Sequence, residues 1–488
     1  MIPSSLTAMP DNNLLIPSAL KRSDGTPRFQ MRLPKSYTED PGLCILVDKE
    51  ASHAGFEYPY RAFLDAHLRP GDLFVDVGAH FGIYSLSAAT AECGDVRVIA
   101  IEPEPHNLAA LRTWITHNAC QDAVQVIPAA CGATPGKAAL GFLSTMGHTT
   151  APSRLAELGP GDTRIEVDVV TVDSALANLD GSASERLFLK VDVEGAEADV
   201  LAGARATIES GRVAAIIFEK GPVHNAPQEA AALEDTIDRL RRLGYRIRWF
   251  PHPHLPGALI PWVPGNEVGN LIAIAPDLDV KPVYDGPATG YPLPPPPLDD
   301  GSAHRFDDAA QAALTRRLVE RGATDGWRWA QIANLDNGAD ERAAMVAPYL
   351  PRAGSLLDLG AGRMALFNKL PIAVKYDPLD LFRLAKATIV ADLNDGGFPN
   401  GRWDTIVALD ILEFLHDVPA LLSRSRRAAD RLILSYRCHS GGSLAERRIA
   451  GYFNDFSEDG LRRMLDAAGW TIVERDARTP PYTIFLCD

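Results

Sequence analysis

The sequence predicts an α/β protein with two doubly wound, mostly parallel Rossmann-like sheets in tandem, preceded by a small β-rich cap. Short apolar runs alternate with helical patterns along most of the 488 residues, which is typical of βαβ units. One strand-and-glycine pattern also occurs twice, as LFVDVGAHFG from Leu73 and LLDLGAG from Leu356. A proline-rich segment lies between the two copies. These observations together indicate two similar domains.

The first half of the chain contains the apolar runs that predict one sheet. A helical pattern between them places Leu108, Leu111 and Ile115 on one face. Ahead of this sheet, Phe29–Leu33 and Leu43–Val47 predict two strands of the cap. We expect the cap at residues 1–55 and the first large domain at residues 56–280. The predicted strands of that domain are Leu73–Val77, Val96–Ile101, Val124–Ala129, Leu187–Val191, Ala214–Phe218 and Leu271–Ala275.

A linker follows the first domain. The segment from Lys281 to Asp300 contains four consecutive prolines, and proline neither continues a helix nor pairs in a central strand. We therefore expect a linker at residues 281–305 and a second domain at residues 306–488.

The second half shows the same alternation of helices and strands. Helices are predicted at Phe306–Arg321 and Asp340–Tyr349. A later helix should begin at the N-cap Ser457 and stop at Gly469. The predicted strands are Ser355–Leu359, Ile389–Ala391, Thr405–Leu409, Arg431–Ser435, Trp470–Glu474 and Thr483–Leu486.

Composition limits the partners and the location that we expect. The formal net charge of −15 opposes binding to a phosphate backbone. The N-terminus lacks a cationic leader followed by an apolar core, and no later window is long and apolar enough to cross a membrane. We expect a cytoplasmic protein with neither a nucleic-acid nor a membrane partner. The six cysteines show no CxxC spacing, so neither a zinc site nor a disulfide framework is predicted.

Acidic residues near each glycine turn indicate the cofactor. Asp76 precedes Gly78 by two residues, and Asp358 precedes Gly360 by two. A carboxylate there disfavours a phosphate but suits the sulfonium and ammonium groups of S-adenosylmethionine (SAM). In each copy a second strand ends in an acid followed by proline, at Glu102 in the first copy and Asp377 in the second. Such a carboxylate can reach the two ribose hydroxyls.

A nicotinamide cofactor is the competing interpretation. The second copy satisfies the GxGxxA pattern of dinucleotide dehydrogenases from Gly360 to Ala365. The first copy is instead GxxxG at Gly78 and Gly82, which lacks the close backbone approach that a pyrophosphate requires. We therefore favour SAM for both copies.

Residues 57–221 resemble the FkbM family of SAM-dependent methyltransferases, which mostly methylate hydroxyls of sugars, macrolides and related metabolites. The resemblance rests on DVGAHFG from Asp76, Glu102-Pro, TVD from Thr171, KVDVEGAE from Lys190 and IFE ending at Glu219. His80 stands where the family usually has asparagine. The resemblance implies SAM as cofactor and a small molecule or glycan as acceptor.

Methyl transfer to a hydroxyl is an in-line displacement, so the protein supplies alignment and a group that accepts the hydroxyl proton. The candidate catalytic residues are Asp192, Glu194, Glu219 and His148. The three acids could instead hold a divalent cation, although their spacing does not require one. Glu197 is expected to be structural.

The second half, from about Phe306, resembles the broad class I group called methyltransferase type 11 or 12. The matches include DLGAG from Asp358, Asp377, ADL from Ala391, and the segment from Trp403 to Glu413. The resemblance places Asp392 at the adenine amino group. Met364 replaces the usual third glycine, and Phe414 stands where a histidine commonly follows the glutamate.

We therefore predict two class I methyltransferase domains, the first an O-methyltransferase acting on a sugar, glycan or secondary metabolite, and the second methylating the same product. One alternative keeps a single active domain, with the C-terminal domain as a scaffold or partner-binding module. Another is a nicotinamide-dependent oxidoreductase. The predicted SAM-binding residues are Asp76, Gly78, His80, Gly82 and Glu102 in the first domain and Asp358, Gly360, Gly362, Asp377 and Asp392 in the second.

Overall fold

A computed structural model of the protein describes residues 7–8, 14–33, 41–51, 55–142, 147–149, 163–177, 186–220, 227–252, 257–263, 269–281, 308–330, 338–383, 388–441, 443–477 and 481–488. These residues form two compact units. The first contains the described residues up to 249 and residues 269–281, and the second contains the rest. Apart from residue 281, the predicted linker lies outside the described residues. Within the described part of the chain, no helix is long and apolar enough to cross a membrane.

The first unit is built around a mostly parallel sheet. The strand Asn270–Ile274 runs antiparallel to both of its neighbours, whereas the remaining neighbours are parallel. Every residue of Leu73–Val77 is buried, as expected for a central parallel strand covered on both faces. The strand order is Arg246–Trp249, Asn270–Ile274, Val213–Glu219, Leu187–Val191, Leu73–Val77, Arg97–Ile101 and Val124–Ile127. The six predicted strands are confirmed, with bounds that differ by at most two residues.

Helices accompany this sheet. Pro105–His117 begins where the Glu104 side chain accepts a hydrogen bond from the Asn107 N–H, and it buries Leu108 and Leu111 as predicted. The helices of the first unit are Pro41–Ala51, Tyr58–His67, Ile83–Ala89, Pro105–His117, Val172–Ala177, Glu197–Gly203, Arg205–Glu209 and Pro227–Arg242.

The N-terminal cap is only partly the predicted one. The strand Gln30–Leu33 is confirmed and pairs antiparallel with Leu14–Pro17, which also pairs with Thr7–Ala8. The predicted strand Leu43–Val47 is wrong, because these residues lie in the helix Pro41–Ala51. Its buried residues Leu43, Leu46 and Val47 follow the helical spacing i, i+3, i+4, and a short apolar run does not by itself separate helix from strand.

The first unit also contains a second, smaller sheet that the sequence analysis did not predict. Gly136–Phe142 pairs antiparallel with both Thr163–Val170 and Gly147–Thr149, and Ala130–Cys131 adds a short parallel pair. Four of the seven residues of Gly136–Phe142 are alanine or glycine, so this strand lacks the bulky apolar run by which the other strands were recognised.

The second unit repeats the strand order of the first, when the first sheet is followed from Val124–Ile127 to Arg246–Trp249. Thr483–Cys487 runs antiparallel to its neighbours, and the other pairs are parallel. The order is Ile389–Val390, Val374–Asp380, Gly354–Leu359, Trp403–Ala408, Ala429–Tyr436, Thr483–Cys487 and Ile472–Asp476. The predicted tandem fold is therefore confirmed.

The helices of the second unit follow the predicted end signals. The Ser457 hydroxyl accepts a hydrogen bond from the Gly460 N–H at 3.1 Å, and Gly469 follows the helix with φ 86°. The α-helices are Asp308–Arg321, Gly326–Ala330, Ala339–Val346, Val418–Ala428, Leu444–Ile449 and Glu458–Ala467. Short 3₁₀ helices lie at Ala347–Tyr349, Phe367–Lys369, Leu393–Asp395 and Leu412–Phe414, and Ile260–Pro261 is a two-residue strand.

Candidate active sites

The glycine turn of the first unit follows the central strand Leu73–Val77. Gly78 has φ 75°, and a Cβ atom there would lie 1.9 Å from the Asp192 carbonyl oxygen. Both the backbone conformation and the close approach therefore require glycine. The N–H groups of Gly78 and Ala79 donate to the Ile101 carbonyl at 3.0 and 3.1 Å, which ties the turn to the end of the next strand.

His80 and Glu102 connect the turn to that next strand. The backbone N–H of His80 donates to Glu102 Oε2 at 2.8 Å, and the Glu104 N–H donates to Glu102 Oε1 at 2.9 Å. Burial raises the pKa of Glu102 to about 7. His80 has φ 53°, a conformation that histidine tolerates better than most residues. Because the donor is the backbone, histidine in place of asparagine leaves this hydrogen bond intact.

A cavity of about 170 Å³ lies beside this turn. Of the residues predicted from the sequence, those that line it are Gly78, His80, Glu102, Asp192 and Glu194. Apolar walls come from residues that include Leu46, Phe56, Phe81 and Leu140. The cavity therefore combines carboxylates with an apolar surface, as a site for a nucleoside with a cationic tail would.

Asp76 lies under the turn, and Gly82 begins a helix. Asp76 is fully buried, and its Oδ2 accepts a hydrogen bond from the Ser85 hydroxyl at 2.6 Å. Burial raises the pKa of Asp76, and nearby Lys190 acts in the opposite direction. Gly82, with φ 90°, is the N-cap of Ile83–Ala89. Neither residue is part of the cavity lining, and their cofactor roles stay predictions.

The three predicted catalytic acids converge after two neighbouring strands. Asp192 and Glu194 follow Leu187–Val191, and Glu219 ends Val213–Glu219. One carboxyl oxygen of each lies within 4.8 Å of the others, a separation that also suits the ligands of a cation. Lys190 donates to Asp192 Oδ2 at 2.9 Å. The sequence predicted these residues individually, and the fold brings them together.

This crowding shifts the protonation of the cluster. Burial, followed by repulsion from Asp192, raises the pKa of Glu219 to about 10 and the pKa of Glu194 to about 7. Lys190 keeps its charge, because the carboxylates of Asp192, Asp76 and Glu57 raise its pKa even though burial acts to lower it. The site therefore holds carboxyl protons at neutral pH that an exposed cluster would have lost.

We expect a pH dependence of stability from this cluster. Since the folded pKa of Glu219 and Glu194 lies above the usual 4.5, the folded state binds more protons than the unfolded state from about pH 4.5 upward. The free energy of unfolding should therefore fall as pH rises through the folded values of about 7 and about 10. Urea denaturation from pH 5 to 9 measures it. The double variant Glu194→Gln/Glu219→Gln should show a flatter dependence, and an unchanged slope would contradict the assignment.

Glu57 is a site residue that the sequence analysis missed. Its carboxylate accepts hydrogen bonds from the Tyr84 hydroxyl at 2.7 Å and from Asn270 Nδ2 at 3.0 Å. Burial, with repulsion from Asp192, raises its pKa. Glu57 belongs to no recognisable motif, and the chain folding alone brings it near a residue far along the sequence.

Glu197 and His148 lie on elements near the acids. Glu197 accepts hydrogen bonds from the N–H groups of Val193 and Gly195, each at 3.1 Å, so its carboxylate holds the loop that carries Glu194. His148 lies in the strand Gly147–Thr149 and pairs with Gly141. The His148 side chain lies outside the described part of the structure, and its catalytic role stays a prediction.

The glycine turn of the second unit is built in the same way. The N–H groups of Gly360 and Ala361 both donate to the Leu379 carbonyl at 2.9 Å. Gly360 and Gly362 have φ 72° and 50°. Met364 has φ 58° without being glycine, which carries a strain of about 1–2 kcal/mol. Met364 therefore takes up the left-handed backbone conformation that a glycine would adopt readily.

The strand that carries Asp377 does not end at the acid-proline pair, where the sequence predicted its end. The strand continues past Asp377 and Pro378 to Asp380. Its outer neighbour pairs only with Leu379 and Asp380, so Pro378 has a neighbouring strand on one side only. Proline is tolerated at such a position. Asp377 Oδ2 accepts a hydrogen bond from Trp403 Nε1 at 2.8 Å, and its ribose role stays a prediction. Asp380 Oδ2 accepts the Gly362 N–H at 2.7 Å, which is the counterpart of the contact between Glu102 and the His80 N–H.

A cavity of about 290 Å³ adjoins this turn. Its lining includes the predicted residues Asp358, Gly360, Gly362 and Asp392, and also Asp380, but not Asp377. Asp358 accepts a hydrogen bond from the Tyr376 hydroxyl at 2.6 Å, and burial raises the pKa of Asp358 to about 7. Asp392 Oδ1 accepts hydrogen bonds from the Thr324 hydroxyl and the Asn394 N–H at 2.8 and 2.9 Å.

The fold and these two sites define a class I SAM-dependent methyltransferase: in each unit a glycine turn, a carboxylate at the end of the next strand and a cavity meet at one edge of a doubly wound sheet. Residues 76–247 match the family model described as the methyltransferase FkbM domain. Residues 329–475 match a second model described as a methyltransferase domain. The chain carries an FkbM methyltransferase domain followed by a class I methyltransferase domain, and its cofactor is SAM.

Several solved structures are similar to parts of the chain. The methyltransferase FkbM from Methylobacillus flagellatus KT is 18% identical over 47% of this chain and 53% of its own, with a TM-score of 0.29. CalO1, a methyltransferase in calicheamicin biosynthesis in an SAH-bound form, is 14% identical over 32% of this chain and 55% of its own, with a TM-score of 0.27. The chain thus spans about half the length of both. The mitomycin 7-O-methyltransferase MmcR is 16% identical over 37% of this chain and 68% of its own, with a TM-score of 0.30.

No curated protein matches the sequence significantly.

Proposed function

We propose that the first domain transfers a methyl group from SAM to a hydroxyl group of a sugar, glycan or other small molecule. The observation that carries this proposal is the convergence of Asp192, Glu194 and Glu219 within 4.8 Å at the edge of the cofactor cavity. A hydroxyl must lose its proton as its oxygen bonds to the methyl carbon and the carbon–sulfur bond breaks. A carboxylate held at that position can accept the proton.

Asp192 is the residue to which we assign this role. It lines the cavity, and its partner Lys190 is buried, so the carboxylate is held in one orientation. Glu219 retains a proton at neutral pH because burial raises its pKa to about 10, which makes it a hydrogen-bond donor rather than a base. SAM supplies the methyl group, and the carboxylates around it favour its positive charge.

We further propose that the second domain binds SAM and acts as a second methyltransferase on the same product. Supporting this, Asp380 and Gly362 repeat the arrangement of Glu102 and His80, with N–O distances of 2.7 and 2.8 Å. A carboxylate fixed by a backbone N–H keeps lone pairs for the ribose hydroxyls. Asp380 therefore takes the ribose role that the sequence analysis gave to Asp377, and Asp392 keeps the adenine role.

Alanine variants of these acids test the ribose assignments. We expect Glu102→Ala and Asp380→Ala each to weaken SAM binding in their own domain by about 1–3 kcal/mol, because two ribose hydroxyls lose an acceptor. Asp377→Ala is the matched control, since its carboxylate faces Trp403. Isothermal titration calorimetry of the full chain gives the affinities and the number of SAM molecules bound.

The outcomes separate the alternatives. Binding of two SAM molecules per chain supports the tandem enzyme. Binding of a single SAM molecule that Glu102→Ala abolishes supports a non-catalytic second domain. Weakening by Asp377→Ala but not by Asp380→Ala would restore the original assignment. Binding of NAD without SAM would favour an oxidoreductase.

A further inference from the structure

The cavity of the second unit differs in charge from that of the first. The first cavity is lined by Lys190 together with Glu102, Asp192 and Glu194. The second is lined by four aspartates, Asp358, Asp380, Asp392 and Asp410, and by four arginines, Arg328, Arg342, Arg363 and Arg437. Asp358, Asp380 and Asp392 accept hydrogen bonds beside the predicted cofactor positions. The fourth aspartate, Asp410, lies beside Arg342 and Arg437.

Arg437 lies where the strand Ala429–Tyr436 ends, at the same sheet edge as the glycine turn. Its guanidinium lies over the Tyr482 ring, 4.4 Å from the centroid, and donates a hydrogen bond to the Tyr482 hydroxyl. Arg437 Nε is 3.6 Å from Asp410 Oδ1, which is an ion pair too long for a hydrogen bond. Among the described residues, neither this buried Nε–H nor Asp410 Oδ1 has a hydrogen-bond partner. An acceptor atom of a ligand in the cavity would satisfy this Nε–H.

A second guanidinium shares the same carboxylate. Arg342, from the helix Ala339–Val346, places Nη1 at 3.5 Å from Asp410 Oδ2. Two guanidinium groups therefore face one aspartate at this end of the cavity. Glu413 accepts the Arg437 backbone N–H at 2.6 Å, and burial raises the pKa of Glu413 to about 8.

We propose that the acceptor of the second domain carries an anionic group, a carboxylate or a phosphate, that is bound by Arg437 with Arg342 beside it. This inference rests on the proposed function of the second domain as a methyltransferase. A planar guanidinium group can donate two parallel hydrogen bonds to a carboxylate or a phosphate. These charge-assisted hydrogen bonds are stronger than hydrogen bonds between neutral groups. The acidic first cavity would repel the same group, so the two domains accept chemically different parts of their substrates.

The test uses the full-length protein saturated with S-adenosylhomocysteine, so that the carboxylate of the cofactor is already in place. Ligand-observed NMR titration compares benzoate and phenyl phosphate with benzamide, the neutral analogue of benzoate. We expect at least one anion to bind about tenfold more tightly than benzamide, since a charge-assisted contact contributes about 1.5–3 kcal/mol. The tighter anion distinguishes carboxylate from phosphate. Arg437→Gln should abolish the preference and leave the affinity for S-adenosylhomocysteine unchanged.

Arg205→Gln is the matched control, because Arg205 forms an exposed pair with Glu209 in the first unit, and it should keep the preference. Equal binding of anions and benzamide to the wild-type protein, or a preference that survives Arg437→Gln, overturns the proposal. So does a loss of S-adenosylhomocysteine affinity in Arg437→Gln, which would assign this arginine to the cofactor. If the second domain binds no cofactor, the proposed function fails, and the same titration without cofactor still decides the charge preference.

Discussion

Replacing Asp192 with asparagine should lower the turnover of the first domain by about 10²–10⁴-fold, the usual contribution of a positioned general base. The variant keeps the size of the side chain and its place beside Lys190, but an amide does not accept the hydroxyl proton. The affinity for SAM should change much less than turnover. Turnover is measured as tritium transferred from methyl-labelled SAM into a small-molecule extract of cells that lack the protein, and affinity by calorimetry.

The matched control for this variant is Glu166→Gln, because it makes the same chemical change in an exposed ion pair with Lys137. It should leave both quantities unchanged. Normal turnover in Asp192→Asn would remove Asp192 from the catalytic role, and an equal fall in SAM affinity would make it a cofactor ligand instead.

Replacing Glu50 with alanine should lower the free energy of unfolding of the first unit by about 3–5 kcal/mol, because it leaves the Arg61 charge buried without its counter-ion. Both side chains are fully buried. Arg61 donates to the two carboxyl oxygens of Glu50 at 2.7 and 3.0 Å, and Glu50 also accepts the Ala19 N–H at 2.7 Å. The pair thus joins the helices Pro41–Ala51 and Tyr58–His67 to the segment that follows the strand Leu14–Pro17.

Native-state hydrogen exchange in the strand Leu73–Val77 measures this free energy and assigns it to the first unit. Glu166→Ala is the control, since an exposed pair contributes about 0–1 kcal/mol. The double variant Glu50→Met/Arg61→Met should recover most of the loss, because it buries no unpaired charge. A loss below about 1 kcal/mol in Glu50→Ala would show that Arg61 finds other partners.

Much of the sheet architecture could be predicted because central parallel strands are buried on both faces and therefore appear as continuous apolar runs. This signal was misleading at Leu43–Val47 and absent at Gly136–Phe142. Leu43–Val47 is apolar, but its period is helical, and Gly136–Phe142 is a strand of small residues. The sequence pattern was insufficient where neither the length of an apolar run nor its period separated a helix from a strand.

The site was predicted in part for a similar reason. Motif residues such as Gly78, Glu102 and Asp192 line the first cavity. They follow the carboxyl ends of parallel strands, and these ends lie together at one edge of the sheet. At Asp377 the acid-proline pair looked like a strand end, whereas the strand continues to Asp380, so the sequence did not predict that Asp380 contacts the glycine turn. Glu57 and Arg437 had no motif at all.

By itself, the sequence determined that this protein has two methyltransferase sheets, which strand ends carry their glycine turns, and that a cationic donor suits the acids around them. Those features are local, because an apolar run indicates a buried strand and a glycine indicates a turn without reference to distant residues. Only the tertiary structure decided which acid faces each turn, that three carboxylates share one edge of the first sheet, and that two arginines share Asp410 in the second unit. Each of these depends on strand register and on contacts between residues far apart in the chain, which no local pattern encodes.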